Sequence, residues 1–340
     1  MTKFAIKTGM NPPKCDAQDY INFLVATPRA FSALEAARVQ PDGIDPPAHD
    51  AFTRLLHRLE PDPQTLWREA QGEVTREDGL LVFDDSTLDH LSARQIELVC
   101  RHWSGKHHRV VRGINLMTLL WTDGDRHIPV DYRLFDKGRD KLTKNDHFQE
   151  VLDEAHKRGF QPRCVVFDSW YASLPNLKKI RSFNWLWLTR LKENRQVNPD
   201  RQGLCAISTI EIGSEGRIVW LEGYGLIRVF KIVITDDDIE YWATNDLEMR
   251  ELMRVKWAGF AWTIENYHRG IKQFCGVERC SVRAARAQRN HIGMALRAFL
   301  RLEIHCYRKG ISWFEAKTSI IREAVRTYLA KPLYTLNSTA

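Results

Sequence analysis

The ten residues CVVFDSWYAS, from Cys164 to Ser173, place an acid directly after an apolar run. The run Cys164–Phe167 is typical of a short buried β-strand, and Asp168 ends it abruptly. A carboxylate at that point is partly desolvated and costly to ionise. Two explanations are open: Asp168 begins a helix or turn, or it belongs to a functional site.

The same pattern occurs earlier in the chain, where LLVFDD at 80–85 also ends an apolar run on aspartates. This segment is predicted to be the first strand of a sheet. Two further strands are predicted at 114–121 and 127–135, and the Asp-Gly between them favours a hairpin. The first three strands are therefore expected to be antiparallel.

Helices then alternate with strands. The predicted order is helix, strand, helix and strand, at residues 145–159, 163–168, 175–181 and 185–188. These elements predict an α/β fold with a sheet of mixed direction. In such an order the first and fourth strands can be neighbours, which would bring Asp84 and Asp168 close together.

The chain divides into five predicted regions. These are a helical N-terminal accessory region that could bind DNA, the first part of the core, a β-rich insertion, a helical completion of the core and a helical tail, at residues 1–75, 76–191, 192–246, 247–310 and 311–340.

Composition restricts the class of protein. The chain has 340 residues, of which 44% are hydrophobic and 27% charged, as in soluble globular proteins. Its apolar stretches are too short to span a bilayer and its N-terminus has no long apolar core, so a cytoplasmic location is expected. A net charge of +7 favours a nucleic-acid partner. Seven scattered cysteines without a CxxC motif disfavour disulfides and a zinc site.

Neighbouring carboxylates at the ends of two strands repel each other, and a divalent cation removes the conflict. Oxygen ligands with open positions are the usual setting for Mg²⁺. A third acid is available in WTIENYHRGIKQF (262–274), where Glu265, His268, Arg269 and Lys272 share one helical face. The alternative is that Glu265 and Arg269 form an ordinary surface pair.

Arginines recur at mostly three- or four-residue steps after this helix, at positions 279, 283, 286, 289, 297 and 301. Such a basic face can bind DNA, and it can equally be a solvated helix surface. Trp170, directly after Asp168 and Ser169, can stack on a base or pack in the core.

Several ordered motifs resemble those of a DDE transposase of a bacterial insertion sequence, in the group with a β insertion between the second Asp and the Glu. They are FDDST, SGKHHRVVRGINLM…PVDYRLFDKGRDKLTKNDHF, VVFDSWYASLPNLKKI, WATND and WTIENYHRGIKQFCGVE, and the resemblance covers roughly residues 75 to 310. It implies an RNase H-like core in which Asp84, Asp168 and Glu265 hold two Mg²⁺ or Mn²⁺ ions as catalytic metal ligands.

The resemblance also implies an activity and partners. Such a protein cuts double-stranded DNA at terminal inverted repeats and transfers the 3′-OH to target DNA, as a homodimer on paired ends. It would act on the nucleoid of a bacterium. Two other functions stay open: an RNase H-like nuclease or resolvase without strand transfer, and a DNA-binding derivative that has lost catalysis.

One departure concerns the residues before the glutamate. The family often has Tyr and Arg seven and four positions earlier, where this chain has Ala258 and Ala261. Arg254 or Lys256 could replace them in part. The full set of DNA-binding candidates is Arg254, Lys256, Arg269, Lys272, Arg283, Arg286, Arg289 and Trp170.

Asp84 and Asp85 are adjacent, and side chains alternate across a strand, so the two should point to opposite faces. Asp84 matches the family's acid two residues before a Ser or Thr, here Ser86. Asp85 is then expected to face away from the site and help to turn the chain.

Overall fold

The computed structural model describes residues 12–43, 45–105, 107–235 and 238–332. The N-terminal part forms short helices between proline-rich breaks, as the sequence predicted. They are α1 (Ala17–Ala26), α2 (Ala33–Arg38), α3 (His49–Arg58) and α4 (Pro63–Ala70). Local signals set their starts: Asp16 and Asp19 form a capping box on α1, while Asp62 caps α4 directly before its proline.

The predicted strands and helices of the first core part are present. The elements are β1 (Leu80–Asp89), β2 (Cys100–Ser104), β3 (Arg109–Thr122), β4 (Ile128–Phe135), α5 (Lys144–Lys157), β5 (Cys164–Phe167), α6 (Leu174–Ser182) and β6 (Trp187–Leu191). A single 3₁₀ turn, Ser169–Tyr171, follows β5. Helix α5 begins one residue before the predicted start at 145, because Thr143 caps it and forms a reciprocal capping box with Asp146.

The β-rich segment predicted at 192–246 contains strands, with one short 3₁₀ turn at Ile207–Thr209. The strands are β7 (Gln196–Asn198), β8 (Cys205–Ala206), β9 (Arg217–Leu221), β10 (Gly225–Thr235) and β11 (Asp238–Thr244). Long helices then complete the chain: α7 (Glu251–Phe274), α8 (Ala285–Lys309) and α9 (Trp313–Ala330).

All eleven strands of the described chain form one mixed sheet. Its order is β2-β3-β1-β5-β6-β11-β10-β9-β7-β8, and β4 pairs with β3. Strand β1 is antiparallel to β3 and parallel to β5, with Phe83 opposite Phe167. The predicted α/β class is confirmed, and so is the adjacency of the first and fourth predicted strands.

The predicted hairpin between β3 and β4 is present. Asp123 accepts backbone hydrogen bonds from Asp125 and Arg126 through Oδ1, which closes the turn. Gly124 has φ of 109°, and a Cβ there would lie 2.7 Å from the ring of Phe260 on α7. Glycine is therefore required both for the backbone conformation and for the close approach of α7.

An aromatic cluster lies directly beneath the end of β1 and β5. The ring of Phe148 on α5 lies 4.8 Å from Phe83, 5.2 Å from Phe167 and 5.3 Å from Tyr171, between ring centroids. Edge-to-face and offset contacts of this kind add about 0.5–1.5 kcal/mol each to the burial of the rings. The cluster fixes the two strands that carry Asp84 and Asp168.

The aromatic cluster predicts a stability effect. Phe148→Ala should lower the free energy of unfolding by about 3–5 kcal/mol, because it removes a fully buried ring at the centre of the cluster. Denaturant unfolding monitored by circular dichroism measures this loss. Phe314→Ala on α9, where the ring is 66% exposed, is the control and should change stability by at most about 0.5 kcal/mol. Equal losses in the two variants would contradict the role given to the cluster.

Within the described residues, no helix combines the length and the apolar character that crossing a membrane requires. All seven cysteines are free thiols in the structure, as their scattered positions predicted.

Candidate active site

A cleft of about 1500 Å³ opens where β1 and β5 end. Asp84, Asp168 and Glu265, the three acids singled out from the sequence, all line it. Asp84 directly follows Phe83 and Asp168 directly follows Phe167, so the paired register of these phenylalanines brings both acids to one edge of the sheet. Glu265 reaches the same cleft from α7.

Asp84 is half-buried, and no Lys or Arg among the described residues forms an ion pair with it. Burial raises the pKa of its carboxyl group, and the neighbouring carboxylates of Asp85, Glu265 and Asp168 raise it further. Nδ1 of His268 lies 3.9 Å from its Oδ2. Burial lowers the pKa of His268 to about 3, so this imidazole is neutral and does not balance the acid. Asp84 is therefore a carboxylate that a cation would stabilise.

Asp85 has the opposite environment. Its carboxylate accepts hydrogen bonds from Lys144 Nζ at 2.8 Å, from Asn115 Nδ2 at 2.6 Å and from the hydroxyl of Tyr171. Burial opposes its ionisation, yet the charge of Lys144 and these three donors lower its pKa. Asp85 is a paired structural acid that joins β1 to β3, α5 and the 3₁₀ turn.

The expectation that Asp85 helps to turn the chain is wrong, because strand β1 continues to Asp89. The two carboxylates have partners on different helices, since Asp84 lies near His268 on α7 and Asp85 binds Lys144 on α5. This agrees with the opposite facing predicted for adjacent strand residues, although both residues border the cleft at the strand end.

Asp168 combines both explanations that its sequence position left open. Its Oδ1 accepts the backbone N–H of Ser169 at 2.5 Å and so begins the 3₁₀ turn. The same oxygen lies 3.3 Å from Nη2 of Arg190, which also pairs with Glu240 at 2.6 Å. A capping role and a place in the cleft are compatible because the cap uses only one oxygen.

The helical stripe predicted on α7 is confirmed as one face of the cleft. Glu265, His268, Arg269 and Lys272 all line it. Lys272 Nζ also donates to the backbone oxygen of Thr87 at 2.9 Å, which ties α7 to β1. Glu265 is exposed to solvent within the cleft, as an acid that meets a ligand would be.

The proposed substitutes for the missing Tyr and Arg do not lie in the cleft. Arg254 is buried and pairs with Glu251 at 2.6 Å, with its guanidinium 5.9 Å from the ring of Trp242. Lys256 is exposed beside Phe260. Glu251 and Trp242 therefore hold the guanidinium of Arg254 away from the cleft, and its contact with DNA stays a prediction.

The predicted basic face after α7 is largely a contact between parts of the chain. Arg286 pairs with Glu60 at 2.7 Å, and Arg297 and Arg301 both pair with Glu69, at 2.6 and 3.2 Å. Arg297 and Arg301 thereby hold α4 onto α8, whereas Arg286 and Glu60 form a solvent-exposed pair, so the DNA contact of Arg286 stays a prediction.

Arg283 and Arg289 occupy different surroundings. Arg283 is exposed and precedes α8, so its DNA contact stays a prediction. Arg289 is half-buried, with Nη2 at 4.0 Å from Asp136. Among the other candidates, Trp170 is 60% exposed on the cleft while Tyr171 is buried.

Several cleft residues were missed from the sequence. The missed cationic side chains are Arg29, Arg101, Lys137 and Lys144, and Arg279 of the predicted basic face also lines the cleft. Two of the cleft's polar residues could have been found from the sequence. Asn115 interrupts the apolar run INLMTLLW, and Lys144 directly precedes the helix predicted from residue 145. The converging positive charge suits a polyanionic ligand.

The donor set fits a divalent cation by its chemistry. It consists of carboxylate oxygens on an open cleft, and burial together with the neighbouring carboxylates raises the pKa of Asp84, a conflict that a cation would relieve. In the described ranges, no three His, Cys, Asp or Glu side chains stand close enough together to enclose an ion. The arrangement is therefore an open edge rather than a closed structural metal cage.

The mixed sheet has the RNase H-like fold, and its acidic edge lies on an open cleft. A sequence profile described as "DDE superfamily endonuclease" matches residues 17–217, more than half of the chain. The chain belongs to that family. No curated protein matches it significantly.

Three solved structures are similar to the chain. The piggyBac transposase synaptic complex with hairpin DNA has a TM-score of 0.52 at 13% identity, over 98% of this chain and 76% of that one. The Drosophila P element transposase strand transfer complex has a TM-score of 0.30 at 10% identity, over 59% and 49%. The Mos1 strand transfer complex has a TM-score of 0.21 at 12% identity, over 54% and 60%. The likeness to piggyBac transposase supports the fold.

The contrast between Asp84 and Asp85 predicts opposite effects on stability. Without metal, Asp84→Asn should raise the free energy of unfolding, because it removes an uncompensated carboxylate. Asp85→Asn should lower it by about 2 kcal/mol or more, because it weakens the partners of the partly buried Lys144. Denaturant unfolding in the presence of a chelator measures both effects.

The same variants also separate the roles in activity. Asp84→Asn should abolish metal-dependent DNA cleavage, and Asp85→Asn should retain measurable cleavage at a temperature where it is folded. If Asp85→Asn is the more stable variant and the inactive one, the two environments have been assigned in the wrong order.

Proposed function

We propose that the chain is a DDE transposase that cuts double-stranded DNA at the ends of a mobile element and transfers the 3′-OH to target DNA. The observation that carries this proposal is that Asp84, Asp168 and Glu265 line one cleft on an RNase H-like sheet. The family match supports phosphodiester cleavage. A bacterial insertion sequence as its source, and action in the cytoplasm on the nucleoid, are part of the same proposal.

The acids of the cleft would hold divalent metal, with Mg²⁺ or Mn²⁺ the ions that suit hard oxygen donors. Two bound ions would activate the attacking water or 3′-OH and stabilise the leaving oxygen. Asp84 and Asp168 present their carboxylates from the rigid end of the sheet, and Glu265 approaches from α7. Asp85 does not join them as a ligand, since three donors already occupy its oxygens.

The basic side chains of the cleft would position the DNA backbone. Arg269 and Lys272 lie on the Glu265 face of α7, and Lys272 is held toward β1 by its bond to Thr87. Guanidinium and ammonium groups there would contact phosphates next to the reacting one. The exposed ring of Trp170, two residues after Asp168, would stack on a base near the cut.

Pairing of two ends by a homodimer is the remaining part of the proposal. The similar piggyBac structure is a synaptic complex with hairpin DNA, which motivates this assignment. Measuring the mass of the protein bound to end DNA by light scattering tests it, and a 1:1 complex that still joins ends would contradict it.

A cleavage assay tests the central proposal. Inverted repeats in the DNA flanking the gene supply the substrate, placed on a supercoiled plasmid with Mg²⁺ or Mn²⁺. Asp168→Asn and Glu265→Gln should each reduce cleavage by at least about a thousandfold while DNA binding and folding persist, because each removes a metal-binding charge. Nicking and linear products are measured on gels.

Matched controls use the same chemical changes away from the cleft. Asp42→Asn and Glu248→Gln alter exposed acids outside the lining of the cleft and should cleave like the wild type. Wild-type cleavage by Asp168→Asn or Glu265→Gln would remove that residue from the active site.

Strand transfer separates the proposed transposase from a nuclease or resolvase. A labelled, precleaved end carrying a free 3′-OH should be joined to a target plasmid. Cleavage without joining would favour the nuclease, and binding without either reaction would favour the catalytically lost derivative. This chain has Ala258 and Ala261 where the family often has Tyr and Arg, and Arg254 does not line the cleft to replace them. The strand-transfer assay therefore decides between these functions.

A further inference from the structure

The hairpin of β2 and β3 carries a surface that the acids of the cleft do not use. Its segment RHWSGKHHRVVR, residues 101–112, contains four Lys or Arg residues and no acid. In the antiparallel register Arg101 lies opposite Arg112, and Trp103 lies opposite Val110. These four residues are called the hairpin face below.

The two sides of this hairpin differ sharply in burial. His102 and Ser104 are buried, and the His102 ring lies 6.3 Å from that of Phe135 on β4, which attaches the hairpin to the body of the protein. Trp103 and Val110, on the other side, are 66% and 58% exposed. The alternation of a strand thus anchors one side and leaves the hairpin face open to solvent.

The arginine pair of the hairpin face is unfavourable in isolation. Directly opposed residues of an antiparallel pair have Cβ atoms about 4.5–5.5 Å apart, and like charges at that distance are destabilising. Neither Arg101 nor Arg112 forms an ion pair with any described residue. An anion shared by the two guanidinium groups would convert this repulsion into binding energy.

The position of the hairpin indicates that this anion is a backbone phosphate of DNA. Residues 101–105 line the same cleft as Asp84 and Asp168, so a chain of phosphates leaving the acids passes the hairpin. The exposed indole of Trp103 beside the arginines adds a flat apolar surface, which suits the face of a base better than it suits a small anion.

We propose that the hairpin face binds DNA next to the cleaved phosphodiester, with Arg101 and Arg112 on backbone phosphate and Trp103 on an unstacked base. This inference rests on the proposed function and adds a contact that cleavage chemistry alone does not require. A duplex with a single-stranded tail is the fitting ligand, because its tail offers bases that are free to stack.

Fluorescence anisotropy in EDTA measures this contact apart from catalysis. The probes are a labelled 30-base-pair duplex with blunt ends and the same duplex with a single-stranded tail. Arg101→Gln with Arg112→Gln should weaken binding to both probes and reduce the slope of log affinity against log salt by about one to two. Trp103→Ala should weaken binding to the tailed probe about tenfold, with little effect on the blunt probe.

Matched variants control for charge, for aromatic area and for folding. Lys231→Gln with Arg322→Gln removes the same charge from exposed sites elsewhere and should bind like the wild type. Trp220→Ala removes an indole that is 51% exposed and lies opposite Leu226 in the same kind of strand pair. Arg101→Lys with Arg112→Lys, and Trp103→Phe, should keep most of the affinity, and thermal unfolding should be unchanged in each variant.

Different results would contradict the hairpin contact and the proposed transposase function. If the wild type binds and cleaves DNA while the hairpin variants keep its affinity and salt slope, the hairpin face is not a DNA contact and the transposase proposal stands. If the double arginine variant loses binding only to vesicles of anionic phospholipid, the face recognises another partner. If the wild type binds neither probe and cleaves nothing, both proposals fail together.

Discussion

The parallel pairing of β1 with β5 is the constraint on which the rest of the site depends. It sets Phe83 beside Phe167 and thereby brings Asp84 and Asp168 to a single edge. Repulsion between acids opposes this pairing. The aromatic cluster around Phe148 offsets it, because the residues directly before the acids, Phe83 and Phe167, both pack on the Phe148 ring. Apolar packing thus holds the carboxylates of Asp84 and Asp168 at one edge of the sheet despite their mutual repulsion.

The two adjacent aspartates, Asp84 and Asp85, differ in the partners that surround their carboxylates. Asp85 has Lys144, Asn115 and the Tyr171 hydroxyl, and its pKa is lowered. Asp84 lies beside the neutral imidazole of His268 and other carboxylates, and its pKa is raised. An acid that is already paired contributes rigidity, and one that lacks a partner is available to a cation. The 3₁₀ turn links these roles, because Tyr171 connects Asp85 to the turn that Asp168 begins.

Much of this arrangement follows from local sequence. The apolar runs that end on Asp84 and Asp168 identified two adjacent strands, and helical spacing placed Glu265, His268, Arg269 and Lys272 on one face. Strand β2 was missed because CRHWS has too few apolar residues to show a strand pattern, although its alternate burial is clear in the sheet. Roles set by sequence-distant partners were also missed.

Two examples show why spacing alone misleads. Arg254 lies three turns before Glu265 on the same stripe, but only the later turns of α7 border the cleft, while Arg254 is occupied by Glu251. The spacing of the arginines of α8 is typical of a face that binds nucleic acid. In the structure, however, Arg286 pairs with Glu60 and Arg297 pairs with Glu69, which lie more than 200 residues earlier in the chain. A periodic pattern fixes which side chains share a face and says nothing about what covers it.

The pairing of Glu69 with two arginines of α8 places part of the chain's positive charge at an internal contact. Burial opposes the charge of Glu69, but hydrogen bonds and charge from Arg297 and Arg301 lower its pKa, so the N-terminal helices are attached to α8 by ionised pairs. Arg297 and Arg301, which the sequence placed on a basic face, therefore serve to attach the N-terminal helices to α8. The positive charge beside the acids comes instead from side chains that line the cleft, among them Arg269, Lys272 and Arg279.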